Sequence, residues 1–100
     1  MPKLIVHYDL YKGTRSDYED LYSALARLKA VRATESTWFV STGKWSAIQL
    51  RDHLRKFMHK MDVIGVNVLS INAGFASANL PPEAVRWMNA HLSTKKSSTR

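Results

Sequence analysis

Cysteine is absent from the 100 residues of this chain, and acidic residues are few. Without thiols the chain has no disulfide framework and no thiolate metal site, which fits a reducing compartment. No apolar run approaches the roughly 20 residues needed to span a bilayer. His7 and Asp9 interrupt the only segment near the N-terminus that resembles a signal peptide. We therefore expect a soluble, cytoplasmic protein without a membrane partner.

The familiar catalytic signatures are missing as well. The sequence contains no Walker loop, no GxGxxG, no HExxH metal motif and no GxSxG nucleophile elbow. The lack of cysteine also excludes a thiol nucleophile. Any chemistry must therefore come from carboxylates, histidines and basic side chains.

Basic residues outnumber acidic ones by 15 to 8, which gives a net charge of +7. Lys95, Lys96 and Arg100 supply three of these charges, so residues 1–94 keep +4 of the +7. A basic body with a basic tail favours a polyanionic partner, with nucleic acid (RNA or DNA) first and an anionic membrane surface second. The plain alternative is a solubilising surface that has no partner.

Apolar spacing predicts a strand at 4–10 and then an amphipathic helix at about 16–30. Ser16 and Glu19 have the spacing of a capping box, which marks the start of that helix. The segment 30–42 is rich in β-branched and aromatic residues and has a polar middle. It predicts two short antiparallel strands or one strand broken by a bulge.

The second half is predicted to form a helix, a strand and a short helix. Ser46 and Gln49 form another capping-box pair at the start of a helix predicted at about 46–60. A strand follows at 63–71, and a short helix begins at two consecutive prolines. Its inward-facing residues are predicted to be Val85, Met88 and Leu92. The Ser/Thr/Lys-rich tail 93–100 is predicted to be disordered.

The element order β-α-β-β-α-β predicts an α+β fold of the ferredoxin-like type, in which two helices cover one face of an antiparallel sheet. We expect one such domain over 1–92, including the short C-terminal helix, followed by the tail. The RNA-recognition motif shares this order, but the segment STWFVST lacks the basic-glycine-aromatic signature of its third strand.

The first strand divides its side chains between two faces. One face is predicted to be buried and comprises Leu4, Val6, Tyr8 and Leu10. The other face holds Ile5, His7 and Asp9, and burying an unpaired carboxylate is costly. We therefore expect the second face to stay open and to form a homodimer, bind a ligand, or both.

Asp9 is the strongest candidate for a metal ligand or catalytic residue. Two Asp9 carboxylates related by a twofold axis can hold Mg²⁺ or Mn²⁺, since such ions need few protein oxygens. The alternative is that Asp9 caps the following loop by accepting from amides near Lys12 and Gly13. His7, on the same face, is a candidate general base because its pKa lies near working pH. Its alternative is a packed interface histidine.

The second predicted helix carries a stripe of basic residues. The candidate phosphate-binding residues are Arg51, Arg55, Lys56 and Lys60. Such a stripe can follow phosphates without reading bases, and its alternative is a solvated helix face. The large aromatic side chains can stack bases but are more often core residues. Trp45, just before Ser46, is typical of a hydrophobic staple.

Several of these segments resemble one known superfamily, that of the CRISPR-associated adaptation nuclease "Cas two", which includes the VapD-type toxin ribonucleases. The similar segments are LIVHYDL, ESTWFVST and VIGVNVLSI, and they span about residues 3–72. Tyr8-Asp9-Leu10 matches the superfamily's pattern in the first strand. Ser36 with Trp38 and Phe39 is a looser match to a second pattern, a serine followed by an apolar or aromatic pair. The ending LPPEAVRWMNAHL is closer to stand-alone members.

The resemblance implies a homodimer whose two sheets meet face to face, with Asp9 and its mate near the twofold axis as metal ligands for phosphodiester cleavage. It favours the metal-ligand interpretation of Asp9 over loop capping. The sequence thus predicts a homodimeric nucleic-acid-binding protein and candidate Mg²⁺- or Mn²⁺-dependent endonuclease. The alternative is a non-catalytic nucleic-acid-binding or protein-adaptor scaffold of the same fold.

Overall fold

The computed structural model describes residues 3–12, 15–41, 43–71 and 74–92, with only the backbone for Arg15 and Ser16. Gly13 and the predicted tail 93–100 lie outside the described residues. The strands are β1 (Lys3–Asp9), β2 (Val31–Thr34), β3 (Thr37–Val40) and β4 (Val63–Leu69). The α-helices are α1 (Glu19–Arg27), α2 (Ala47–Arg55) and α3 (Pro82–His91). None of these helices is long and apolar enough to cross a membrane.

The strands form one antiparallel sheet in the order β2-β3-β1-β4, so β4 is an edge strand. In the register of β1 with β4, Asp9 pairs with Val63 and His7 with Gly65. On the other side of β1, His7 pairs with Thr37. The predicted α+β class with an antiparallel sheet is confirmed. Segment 30–42 forms two strands, and their register shifts between Arg32 and Thr34.

The first face of the sheet packs against α1 and α2, as predicted from the alternation in the first strand. Leu4, Val6 and Tyr8 are buried there together with apolar residues of both helices. The contributions from the helices are Leu21, Ala24, Leu25, Leu50 and Leu54. Burying a side chain of this size stabilises the fold by roughly 1.5–3 kcal/mol, so this layer is the main core.

The second face of the sheet was predicted to be open. This prediction was wrong for the half near β2 and β3, which is covered. Helix α3 covers that half, where Phe39 stacks on Trp87 with ring centroids 4.7 Å apart. Met88 and Leu92 are buried there as predicted, whereas Val85 is only half-buried. The apolar side of α3 packs against the sheet here because Phe39 lies on this face. The half that carries His7 and Asp9 remains exposed.

The helix boundaries differ from the predicted ones. Helix α1 begins at Glu19 after a 3-10 turn over Arg15–Tyr18, and its first flanking residue, Tyr18, makes no side-chain capping bond. The α-helix is therefore shorter at both ends than the predicted span of about 16–30, because the first turn winds more tightly and buries Tyr18. The capping box predicted for Ser16 depends on a side chain that lies outside the described residues.

The start of α2 is confirmed. The Gln49 amide donates to Ser46 Oγ at 3.0 Å, and the Ser46 amide donates to Gln49 Oε1 at the same distance. Helix α2 ends at Arg55 rather than near 60. The chain turns away there because Asp62 accepts from the His59 amide at 2.7 Å. Strand β4 likewise ends at Leu69, two residues before the predicted position.

Candidate nucleic-acid and metal site

Asp9 is the last residue of β1 and lies on the exposed half of the second face. Asp9 pairs with Val63 of β4, while on the other side of β1 the pairing with β3 extends only as far as His7. Its carboxylate makes no hydrogen bond with any of the described residues. A rigidly held carboxylate with open lone pairs is what a hard cation requires of a ligand.

The loop that Asp9 was expected to cap is held by other groups. The Lys12 amide donates to the Tyr18 hydroxyl at 2.8 Å, and the Tyr11 amide donates to Asp62 Oδ1 at 2.6 Å. Gly13, the other amide considered for capping, lies outside the described residues. Loop capping at Lys12 therefore does not occupy the Asp9 carboxylate.

His7 lies across the neighbouring strand rather than towards Asp9. Its Nε2 atom is 3.0 Å from Asn67 Oδ1, and its imidazole occupies the space that a Cβ atom on Gly65 would fill. An amide oxygen only accepts, so this bond forms in the tautomer that carries its proton on Nε2, and in that tautomer Nδ1 is the acceptor. Asn67 thus orients His7, and Gly65 provides the room for it.

Sequence reasoning missed Asn67 and Gly65, although a signal was present. The two residues stand two positions apart on β4 and therefore share the face of His7. A glycine inside a strand often marks the close approach of another group. Here that group is an imidazole on the adjacent strand.

A buried carboxylate lies beneath the same end of the sheet. Asp62 accepts from the Tyr11 amide and the Tyr18 hydroxyl on Oδ1, and from the His59 amide on Oδ2. Burial alone would raise the pKa of Asp62, but these three hydrogen bonds outweigh it and lower that pKa below its ordinary value. Burial, with Asp62 beside it, raises the pKa of Tyr18. The network ties the loops before α1 and β4 together next to Asp9.

The predicted phosphate-binding residues do not form one surface with Asp9. Helix α2 packs on the first face of the sheet, whereas the Asp9 side chain lies on the second face. Arg51 pairs with its neighbour Asp52 at 2.7 Å, and Arg55 donates to the carbonyl oxygens of His59 and Asp62 at 3.2 and 3.3 Å. Arg55 nevertheless reaches the end of the sheet where Asp9 lies.

Lys56 and Lys60 are exposed beyond the end of α2 and have no ion-pair partner among the described residues. They are therefore the two members of the predicted stripe best placed to meet phosphate. Arg55 is half-buried and has a structural role at the end of α2.

Within the described ranges, no group of three or more histidine and carboxylate side chains is arranged to hold a metal ion. In the described part of the chain, Asp9 therefore lies on the second face without two further ligands beside it. No protein-family model matches the sequence, and no solved structure matches the chain.

Proposed function

We propose that this protein is a homodimeric nucleic-acid-binding protein with metal-dependent endonuclease activity at Asp9. The observation that supports this most is the Asp9 carboxylate itself. It is exposed at a rigid strand end, on the uncovered half of the second face, and makes no hydrogen bond with the described residues. A carboxylate that no described residue engages is well suited to a role in ligand binding.

We further propose a ferredoxin-like fold for the segment up to Leu69. The chain order β-α-β-β-α-β and the sheet order β2-β3-β1-β4 support this assignment. Helix α3, which lies on the second face, departs from the plain two-layer arrangement. The resemblance to the "Cas two" and VapD-type superfamily is compatible with the same assignment.

The dimer would form through the uncovered half of the second face. This half carries Asp9, His7 and Asn67, together with Val63, whose side chain is 60% exposed. A twofold axis beside β1 would bring the two Asp9 carboxylates towards each other and cover Val63. The dimer would then supply the second carboxylate that a single chain lacks.

Carboxylate oxygens suit Mg²⁺ and Mn²⁺, so the donor chemistry of Asp9 fits these ions. A bound divalent cation supplies an acidified water molecule and neutralises charge on a scissile phosphate. In this proposal Asp9 ligates the cation, and His7 Nδ1, which Asn67 leaves as an acceptor, takes up a proton. Lys60 and Lys56 hold phosphate groups of the bound strand at a distance from Asp9, whereas Arg51 and Arg55 are engaged with Asp52 and with the carbonyl oxygens of His59 and Asp62.

The test is cleavage of RNA and DNA with Mg²⁺ or Mn²⁺ by the wild type and by Asp9→Asn, purified identically. The variant keeps the size of the side chain and loses its charge. We expect cleavage by the wild type only, while the variant stays dimeric and binds nucleic acid at least as tightly. Equal cleavage by both would place the activity elsewhere or in a contaminant.

A non-catalytic scaffold is the second candidate function. It is favoured by the lack of a three-ligand metal cluster in the described residues and by the use of Arg55 in holding its own loop. If neither protein cleaves but both bind nucleic acid, this candidate is correct. Binding that weakens steeply with salt separates a nucleic-acid scaffold from a pure protein adaptor.

A further inference from the structure

An open groove of about 510 Å³ lies in the helix layer, on the opposite side of the sheet from Asp9. Its volume is within the range of pockets that hold small ligands. The groove is lined by Lys44, Trp45, Gln49, Asp52, His53 and Lys56. The lining thus combines an aromatic wall with a polar, mainly basic rim.

The aromatic wall is a short series of rings in contact, one pair tilted and the other edge-to-face. The Trp45 indole lies 4.9 Å from the His53 imidazole, centroid to centroid, and His53 meets the edge of Phe57 at 5.5 Å. Trp45 and Phe57 also pack against the main core, so the wall is fixed in place. The indole is only half-buried, and part of its surface faces the groove.

The surroundings of the imidazole in this wall favour its uncharged form. Burial, with the charges of Lys56 and Arg27 nearby, lowers the pKa of His53 below its ordinary value. A neutral ring stacks and forms hydrogen bonds without adding a charge to the groove. The positive charge of the lining therefore comes from its two lysines.

The rim offers both cations and a hydrogen-bond donor. Lys44 and Lys56 are exposed, and Arg51 already neutralises Asp52 with two bonds to Oδ1 of 3.0 and 2.7 Å. Gln49 uses its Oε1 atom in the capping box, so its amide group is left to donate. The rim is thus complementary to an anion that lies beside a planar ring.

We propose that this groove binds one nucleotide of a single-stranded nucleic acid, with its base against the Trp45 indole and its phosphate held by Lys44 and Lys56. An unpaired base is required, because a base inside a duplex does not present its face to a side chain. The inference rests on the proposed nucleic-acid-binding function and adds a second contact region to it, remote from Asp9.

The fluorescence of tryptophan tests this directly. Of the three tryptophans, Trp38 and Trp87 are 8% and 6% exposed, so a base that quenches emission must act mainly on Trp45. Oligothymidylate and oligouridylate of about eight nucleotides are the probes, because such lengths match single-strand sites. We expect both binding and quenching with the wild type, a roughly tenfold loss of affinity in Trp45→Leu, and recovery of most of that loss in Trp45→Phe.

The lysines provide an independent test that leaves the aromatic wall intact. Lys44→Gln and Lys56→Gln should each flatten the dependence of log affinity on log salt by about 0.7. Lys3→Gln is the matched control. Lys3 pairs with Leu69 in the sheet and lies on the second face, where its charge helps to lower the pKa of His91 of α3. This variant removes the same charge far from the groove and should not alter the quenching.

Each outcome is informative. Oligonucleotide binding without quenching, or with equal affinity in Trp45→Leu and in Lys44→Gln, overturns the groove inference. It leaves the proposed function standing, because neither Trp45 nor Lys44 belongs to the residues that the proposed function uses. The lack of any binding by the wild type overturns both. Quenching that is lost in Trp45→Leu, with a flatter salt dependence in the lysine variants, supports both.

Discussion

The hydroxyl group of Tyr18 donates a hydrogen bond of 2.8 Å to Oδ1 of the buried Asp62. The same hydroxyl accepts from the Lys12 amide, and the same carboxylate accepts from the amides of Tyr11 and His59. One pair of side chains therefore joins the loop after β1 to the loop before β4. These are the loops that flank Asp9, so this pair holds the end of the sheet where the candidate site lies.

Replacing Tyr18 by Phe should destabilise the protein by about 1–3 kcal/mol. The substitution leaves the Lys12 amide without its acceptor in a partly buried hydrogen bond and removes one of three donors to the buried Asp62. The free energy of unfolding, measured by urea denaturation, checks this. Tyr22→Phe is the matched control, because the Tyr22 hydroxyl makes no hydrogen bond among the described residues and its ring would still stack on Trp38. An equal loss in both variants would contradict the structural role of the Tyr18 hydroxyl.

The lowered pKa of Asp62 predicts a specific acid sensitivity. Because the folded pKa lies below the ordinary value of 3.8, the stabilisation is complete above that value and is lost as the pH falls through the folded pKa. Asp62→Asn should be less stable than the wild type at pH 7. Below pH 4, acidification should reduce the stability of the variant by a smaller amount than that of the wild type. Urea midpoints of both proteins across this range measure the difference. Parallel pH profiles would show that Asp62 does not contribute in this way.

Gly65→Ala should disturb His7 rather than the backbone. An added Cβ overlaps the imidazole, so the ring must move and its bond to Asn67 must break. We expect a loss of roughly 1 kcal/mol, which largely disappears when the same change is made in a His7→Ala background. Urea denaturation of the four proteins gives the coupling energy. Additive effects would mean that His7 does not occupy this space.

The proposed dimer interface can be tested with two valines on the same strand. Val63 and Val68 are 60% and 61% exposed, but Val63 shares the face of Asp9 and Val68 pairs with Leu4 on the other face. Light scattering should give about twice the chain mass of 11.4 kDa for the wild type and for Val68→Arg, and the monomer mass for Val63→Arg. A wild-type monomer, or dissociation by Val68→Arg alone, would contradict the interface.

Local patterns in the sequence were sufficient for much of the fold. The alternation in β1 identified Leu4, Val6 and Tyr8 as buried, and the Ser46–Gln49 spacing located the start of α2. Both features depend on residues close together in the chain. The ambiguity in segment 30–42 was likewise limited to two local alternatives.

The features that sequence reasoning missed depend on contacts between distant residues. Tyr18 and Asp62 are 44 positions apart, and no local pattern marks Asp62 as a buried acceptor. Helix α3 covers half of the second face because Trp87 stacks on Phe39. The spacing of apolar residues along the chain does not predict this contact. Asp9 could be chosen from the sequence alone, since a carboxylate inside a strand is unusual wherever the strand lies.

The most direct test of the central claim is the stoichiometry of Mn²⁺ binding, measured by calorimetric titration of the wild type and of Asp9→Asn. If two Asp9 carboxylates hold one cation across a twofold axis, the wild type should bind one Mn²⁺ per two chains. Asp9→Asn should lose this binding and remain dimeric by light scattering. One Mn²⁺ per chain, or unchanged binding by Asp9→Asn, would contradict the account.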